Sequence, residues 1–142
     1  MHRRSLNKGK PADALLVREA IELGQGRGYS YFGASMASAS GDFTTARGWI
    51  EPVVKDDPRD VDAQFSFATV LERAGDRAAA RDVYRIVVRL EPTHASARYS
   101  LIMIAKELGD LTEAKQLAQQ FVKDFPSDAR KARFVGLIEP AP

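Results

Sequence analysis

Apolar residues recur along this chain at helical spacing, in blocks separated by short polar turns. The clearest block holds Ala79, Val83, Ile86, Val87 and Leu90 at i, i+4, i+7, i+8 and i+11, the stripe of a helix packed on one side. Before it, Phe67, Leu71 and Ala74 share a face, flanked by Ala68 and Val70. After it come Leu101, Ile104, Ala105 and Leu108, then Ala114, Leu117, Phe121, Val122 and Phe125. Upstream, Ala46, Trp49, Ile50, Val53 and Val54 mark a helix with Pro52 inside it, where a kink or an early distortion is expected. Tyr29 to Ser40 is the weakest helix by propensity, with Gly33 and four serines. Two readings fit it: small side chains that let neighbouring helices approach closely, or a helix loose until a neighbour supports it. Close packing is the expectation. At the amino end, Pro11 suits a first helical position, and Ala14, Val17 and Ile21 share a face. At the other end, Ser127 is placed to cap a last helix to about Ile138, with Ala132, Val135 and Ile138 on its apolar side.

The punctuation between blocks is periodic. Gly41-Asp42, Gly75-Asp76 and Gly109-Asp110 stand 34 residues apart, as do Ala46, Ala80 and Ala114, and Pro58, Pro92 and Pro126. Glycine can end a helix in the left-handed conformation, and aspartate can cap the next. Asp110 with Glu113 has capping-box spacing. Each proline pushes the residue before it out of the α region and closes a unit. The stretch Val61 to His94 is the best-written copy.

A helix–turn–helix unit of 34 residues ending in proline resembles the tetratricopeptide repeat. Units begin at Arg27, Val61 and Ala95. Their eighth residues are Ala34, Ala68 and, less typically, Ile102; their twentieth are the three alanines; their twenty-fourth are Ile50, Tyr84 and Ala118. The family's tryptophan at the fourth residue is replaced by Ser30, Gln64 and Arg98, and its tyrosine at the eleventh by Ala37, Leu71 and Ala105. The resemblance implies an all-α fold, a right-handed α-solenoid of three repeats with an extra helix at each end. Residues 1–10 are then a flexible basic tail and 11–138 a single domain, followed by a tail at 139–142. Within that domain, 11–24 is an N-terminal helix, 27–60, 61–94 and 95–128 are the repeats, and 129–138 is a capping helix. The first of these helices falls where the second helix of a preceding unit would stand. The chain thus either continues a longer array or uses that helix as a cap.

The resemblance also implies a concave face lined by the first helix of each repeat, holding a protein or peptide ligand. Its expected lining is Tyr31, Ser35, Asp62, Phe65, Thr69, Glu72, Tyr99, Met103 and Lys106. Tyr31, Phe65 and Tyr99 form an aromatic series; such rings anchor interfaces, and they also pack between helices. Family members that grip carboxyl termini do so with Lys, Asn and Arg at groove positions. That set is missing here, so a chaperone-tail clamp is not expected.

Charge and composition narrow the function further. With 21 bases against 19 acids, the net charge of +2 is too sparse for a nucleic-acid footprint, and no nucleic-acid partner is expected. The absence of cysteine excludes disulfides and thiolate chemistry. The glycines of Gly24 to Gly28 follow no strand, so they read as a hinge rather than a phosphate loop. His2 lies in the tail and His94 in a turn, and no convergent catalytic set, metal site or cofactor site stands out. Arg130, Lys131 and Arg133 read as a solvated face. No apolar run suits a signal peptide or membrane insertion; a cytoplasmic location is expected if Met1 is the natural start. The expectation is a non-enzymatic adaptor or scaffold. The alternatives are a homo-oligomer stacking through its array ends, or the repeat segment of a larger enzyme or of a secretion or assembly factor.

Overall fold

A computed structural model describes residues 27–138. The expected 1–10 tail, the 11–24 helix, the glycines before Arg27 and the 139–142 tail lie outside the described residues. The chain forms two compact units, Met1–Ala80 and Arg81–Pro142. In order, the helices are α1 (Arg27–Ala39), α2 (Phe43–Asp56), α3 (Val61–Arg73), α4 (Arg77–Leu90), α5 (Ala95–Glu107) and α6 (Leu111–Asp124). A 3-10 segment (Ala129–Phe134) and the single turn α7 (Val135–Ile138) follow. Among the described residues there is no strand.

Two turn chemistries alternate. Within each repeat the turn is the Gly-Asp pair. Gly41, Gly75 and Gly109 have φ of 84°, 90° and 85°, a region that disfavours any side chain. The next residue closes the helix behind it: the amides of Asp42, Asp76 and Asp110 bond the carbonyls of Ala37, Leu71 and Ala105 at 2.8, 3.0 and 2.9 Å. The same aspartates open the helix ahead, accepting from the amides of Thr45, Ala79 and Glu113 at 3.1, 3.3 and 3.1 Å. One residue therefore ends one helix and starts another, which is why the turn can be so short.

Between repeats, proline sits second in a tight turn, closed by bonds from Asp60 to Asp57, His94 to Glu91 and Asp128 to Phe125. Asp60, His94 and Asp128 cap the following helices, His94 through Nδ1, which accepts from the Ala97 amide at 3.1 Å. Each proline carbonyl is also bonded by a side chain: Gln64 Nε2 to Pro58 at 2.9 Å, Arg98 to Pro92 at 3.1 Å, and Lys131 to Pro126. Gln64 and Arg98 occupy the position where the family keeps tryptophan. Here the turn is held by a polar donor instead of an aromatic ring.

Burial follows the same period. Ala46, Ala80 and Ala114 are all fully buried, as are Ile50 and Ala118 at the twenty-fourth residue, with Tyr84 at 1% exposure. In the first unit, Ala34, Ile50, Val53 and Ala63 form a core against which Tyr31, Trp49, Val54 and Phe67 pack. The glycine of α1 has its reason here. A Cβ on Gly33 would lie 2.3 Å from the Trp49 indole, so the close approach of α1 and α2 requires its absence. The small-residue helix is a tight interface, as expected. α2 runs on through Pro52 to Asp56, with Ile50 and Val53 buried on either side of it.

In the second unit, Ile102, Ala118, Phe121 and Phe134 form the core. The exceptional Ile102 is explained by its partner: where the first repeat pairs a small Ala34 with a large Ile50, the third pairs Ile102 with Ala118. The two side chains exchange size, and their combined volume is kept. Arg85 on α4 holds Glu113 on α6 at 2.7 Å, and Arg98 pairs with Asp124 at 2.8 Å beneath Phe125.

Several expectations are corrected. Ala74 and Leu108, read as core, are the C-caps of α3 and α5, and both are exposed. Phe67 does pack on the first-unit core but is only half-buried, its ring covered by Arg47 at 5.8 Å. The last segment is capped by Asp128 rather than Ser127 and begins as a 3-10 helix. The change of pitch turns Ala132 and Val135 outward and buries Phe134 instead.

Candidate functional site

The first unit carries an open cavity of about 210 Å³ between α1 and α3, the first helices of consecutive repeats. From α1 it is lined by Tyr31, Ala34, Ser35 and Ser38, spaced i, i+3, i+4 and i+7 on one face. From α3 come Phe65, Ser66, Thr69, Val70 and Arg73, of which Phe65, Thr69 and Arg73 form a single stripe. One end is therefore aromatic, and the other carries hydroxyls and a guanidinium.

Each wall is fixed by local structure. The Tyr31 hydroxyl donates to Asp60 Oδ2 at 3.0 Å, while Asp60 Oδ1 accepts the Ala63 amide that starts α3. One carboxylate thus anchors the ring of α1 to the N-terminus of α3. The Thr69 hydroxyl donates to the Phe65 carbonyl at 3.0 Å. Ser38 is 6% exposed and its Oγ has no hydrogen-bond partner among the described residues. Arg73 is exposed at the end of α3 and makes no ion pair with a described residue.

Four of the nine expected lining residues, Tyr31, Ser35, Phe65 and Thr69, meet at this cavity. Asp62, exposed in the first turn of α3, and the half-buried Glu72 are not part of its lining. In the second unit, Tyr99 and Met103 pack against the core, and Lys106 is exposed in the last turn of α5. The Tyr99 ring lies 5.7 Å from Phe134, with the Arg130 guanidinium 5.3 Å above it. Arg130 is held there by Asp128, through Nε at 3.0 Å and a terminal nitrogen at 2.8 Å. The Arg130 side chain, followed by its backbone amide, lowers the Asp128 pKa to about 2. Arg130 is thus a structural clamp rather than part of a solvated face. The aromatic series divides: Tyr99 supports packing, Phe65 is a cavity wall, and Tyr31 does both.

Arg73 and Ser66 were not among the expected lining residues. Arg73 continues the Phe65–Thr69 stripe by one more turn, and that i, i+4, i+8 spacing was the available signal. Among the described residues, no cluster of three or more His, Cys, Asp or Glu could hold a metal ion. Nor is any described helix long and apolar enough to cross a membrane.

Paired helices joined by Gly-Asp turns, repeated every 34 residues with burial in the same period, define a helical-repeat protein. A family model described as tetratricopeptide repeat matches residues 33–95 and, in the next frame, 66–129. The chain belongs to the tetratricopeptide repeat family. Solved structures of similar fold include "First TPR of Spaghetti (RPAP3) bound to HSP90 peptide SRMEEVD". That likeness has a TM-score of 0.64 at 17% identity, covering 84% of this chain and 85% of that one. The first TPR domain of the human RPAP3 protein, solved by NMR, matches with a TM-score of 0.63 at 17% identity, over 87% of each chain. At that identity the likeness is one of fold. A sequence search of curated proteins returned no match.

Proposed function

We propose that this chain is a non-enzymatic protein-interaction module that holds a peptide or protein segment against its first-helix face, with the α1–α3 cavity as the principal seat. The observation that carries the reading is the convergence of Tyr31, Ser35, Phe65 and Thr69 on one open cavity. A half-buried aromatic wall gives large contact area at small entropic cost. The similar domain of Spaghetti is described with an HSP90 peptide, which supports peptide binding as something this fold performs. Chaperone-tail recognition is not carried over, because the cavity is aromatic where the tail-gripping members place Lys and Asn.

Peptides selected from a displayed random library against the whole chain provide the test. Phe65→Ala should weaken them by tenfold or more, since truncating a central aromatic anchor typically costs about 2 kcal/mol. Helicity should be unchanged. Tyr99→Ala is a separate variant whose expected effect is on stability. If selected peptides bind Phe65→Ala as tightly as the parent, the cavity is not the seat.

A further inference from the structure

We propose that the α1–α3 cavity selects an extended segment by two marks: an apolar side chain seated at Phe65, and a Glu or Asp side chain paired with Arg73, three or four positions apart. This rests on the groove reading above and specifies what the groove selects. Arg73 is the single charged residue among the described residues of the cavity wall, and it has no ion pair with a described residue. Its planar guanidinium matches a carboxylate in a two-point bond, which a neutral wall cannot supply. Ser38 stands in the same wall with a buried hydroxyl that has no hydrogen-bond partner among the described residues. An unmade bond of this kind destabilises the free protein, and a χ1 rotation toward the cavity lets a bound carboxylate satisfy it.

The helix sets the spacing. Phe65 and Arg73 lie eight residues apart on one stripe, roughly 12 Å along the axis. An extended peptide advances about 3.3 Å per residue, so the apolar anchor and the acid fall three or four positions apart. The apolar end is preset, because the hydrogen bond from Tyr31 to Asp60 holds the second ring in place.

The test uses the full chain and fluorescein-labelled, amidated ten-residue peptides. Each carries one leucine and one glutamate at separations from one to six in a serine–alanine background. Binding should peak at separations of three and four. Exchanging the peptide Glu for Gln, or making Arg73→Gln, should weaken it about tenfold, and the two together little more than either alone. Ser38→Ala should raise the thermal midpoint of the free chain while weakening the glutamate peptide about threefold or more. Binding that ignores separation, or that survives Arg73→Gln, overturns the acid pairing; the groove reading still stands if Phe65→Ala abolishes that binding. Failure of every peptide to bind at about 1 mM overturns the two-mark proposal. If library-selected peptides also ignore Phe65→Ala, the groove reading falls with it.

Discussion

Gly33→Ala tests the tightest contact in the fold. Helix propensity alone favours the substitution by about 1 kcal/mol, since glycine inside a helix is costly. The structure opposes it: the new Cβ would lie 2.3, 2.4 and 2.8 Å from Trp49 Cδ2, Cε2 and Cγ. Carbon–carbon contacts are comfortable at about 3.5–4.0 Å, so the indole must retreat by roughly 1.2 Å or more. A rigid bicyclic ring packed against Ala34, Ile50, Val53 and Ala63 cannot do so without lifting off that core. Overpacking of this kind costs about 1–3 kcal/mol, and losing the ring's packing would cost more. After the propensity gain, overpacking alone leaves a net loss of up to about 2 kcal/mol, a fall of up to several degrees in Tm. Thermal unfolding followed by circular dichroism reads the stability. Trp49 is the chain's one tryptophan, so its emission reads the contact itself and should move to the red. Shrinking the ring with Trp49→Leu should remove most of the penalty, making the pair non-additive. A Gly33→Ala chain about 1 kcal/mol more stable than the parent, with unchanged emission, would refute the reasoning.

The exchange of size between Ile102 and Ala118 predicts that Ile102→Ala costs about 2–5 kcal/mol by leaving a void beside Phe121 and Phe134. Ala118→Ile in that background should recover part of it, measured by denaturant unfolding; fully additive losses would contradict the pairing. Asp128 is titrated well below its ordinary range, so its contribution is present above the unfolded-state value near pH 4 and disappears as pH falls through about 2. Asp128→Asn should therefore flatten the acid limb of the stability curve between those pH values, and an unchanged limb would show that the Arg130 clamp contributes nothing.

The architecture was legible because the turn residues report backbone geometry directly. Gly41, Gly75 and Gly109 sit where φ is positive, and the aspartate after each serves two helices at once. Packing was less legible. Ile102 looked like a departure because its compensation lies sixteen residues away, on another helix. Ser30, Gln64 and Arg98 looked like mere absences of tryptophan, yet Gln64 and Arg98 tie down the proline turns. Phe134 falls outside the apolar face drawn at α-helical pitch, because the chain there winds as a 3-10 segment. The site was legible as a face and less so at its edges. The family resemblance points to Tyr31, Ser35, Phe65 and Thr69, whereas Arg73, one turn further along the same stripe, lies at the helix end. The packing of Tyr99 depends on a C-terminal 3-10 segment that an α-helical period does not reveal.

The central claim is that the α1–α3 face is where a partner segment sits. Its most direct test is a ¹⁵N-resolved NMR titration of the full chain with a library-selected peptide. The account predicts shifts concentrated at Tyr31, Ser35, Ser38, Phe65, Thr69 and Arg73, with those of Leu111–Asp124 largely unmoved. Shifts concentrated on α6, or on α2 away from the cavity, would contradict it.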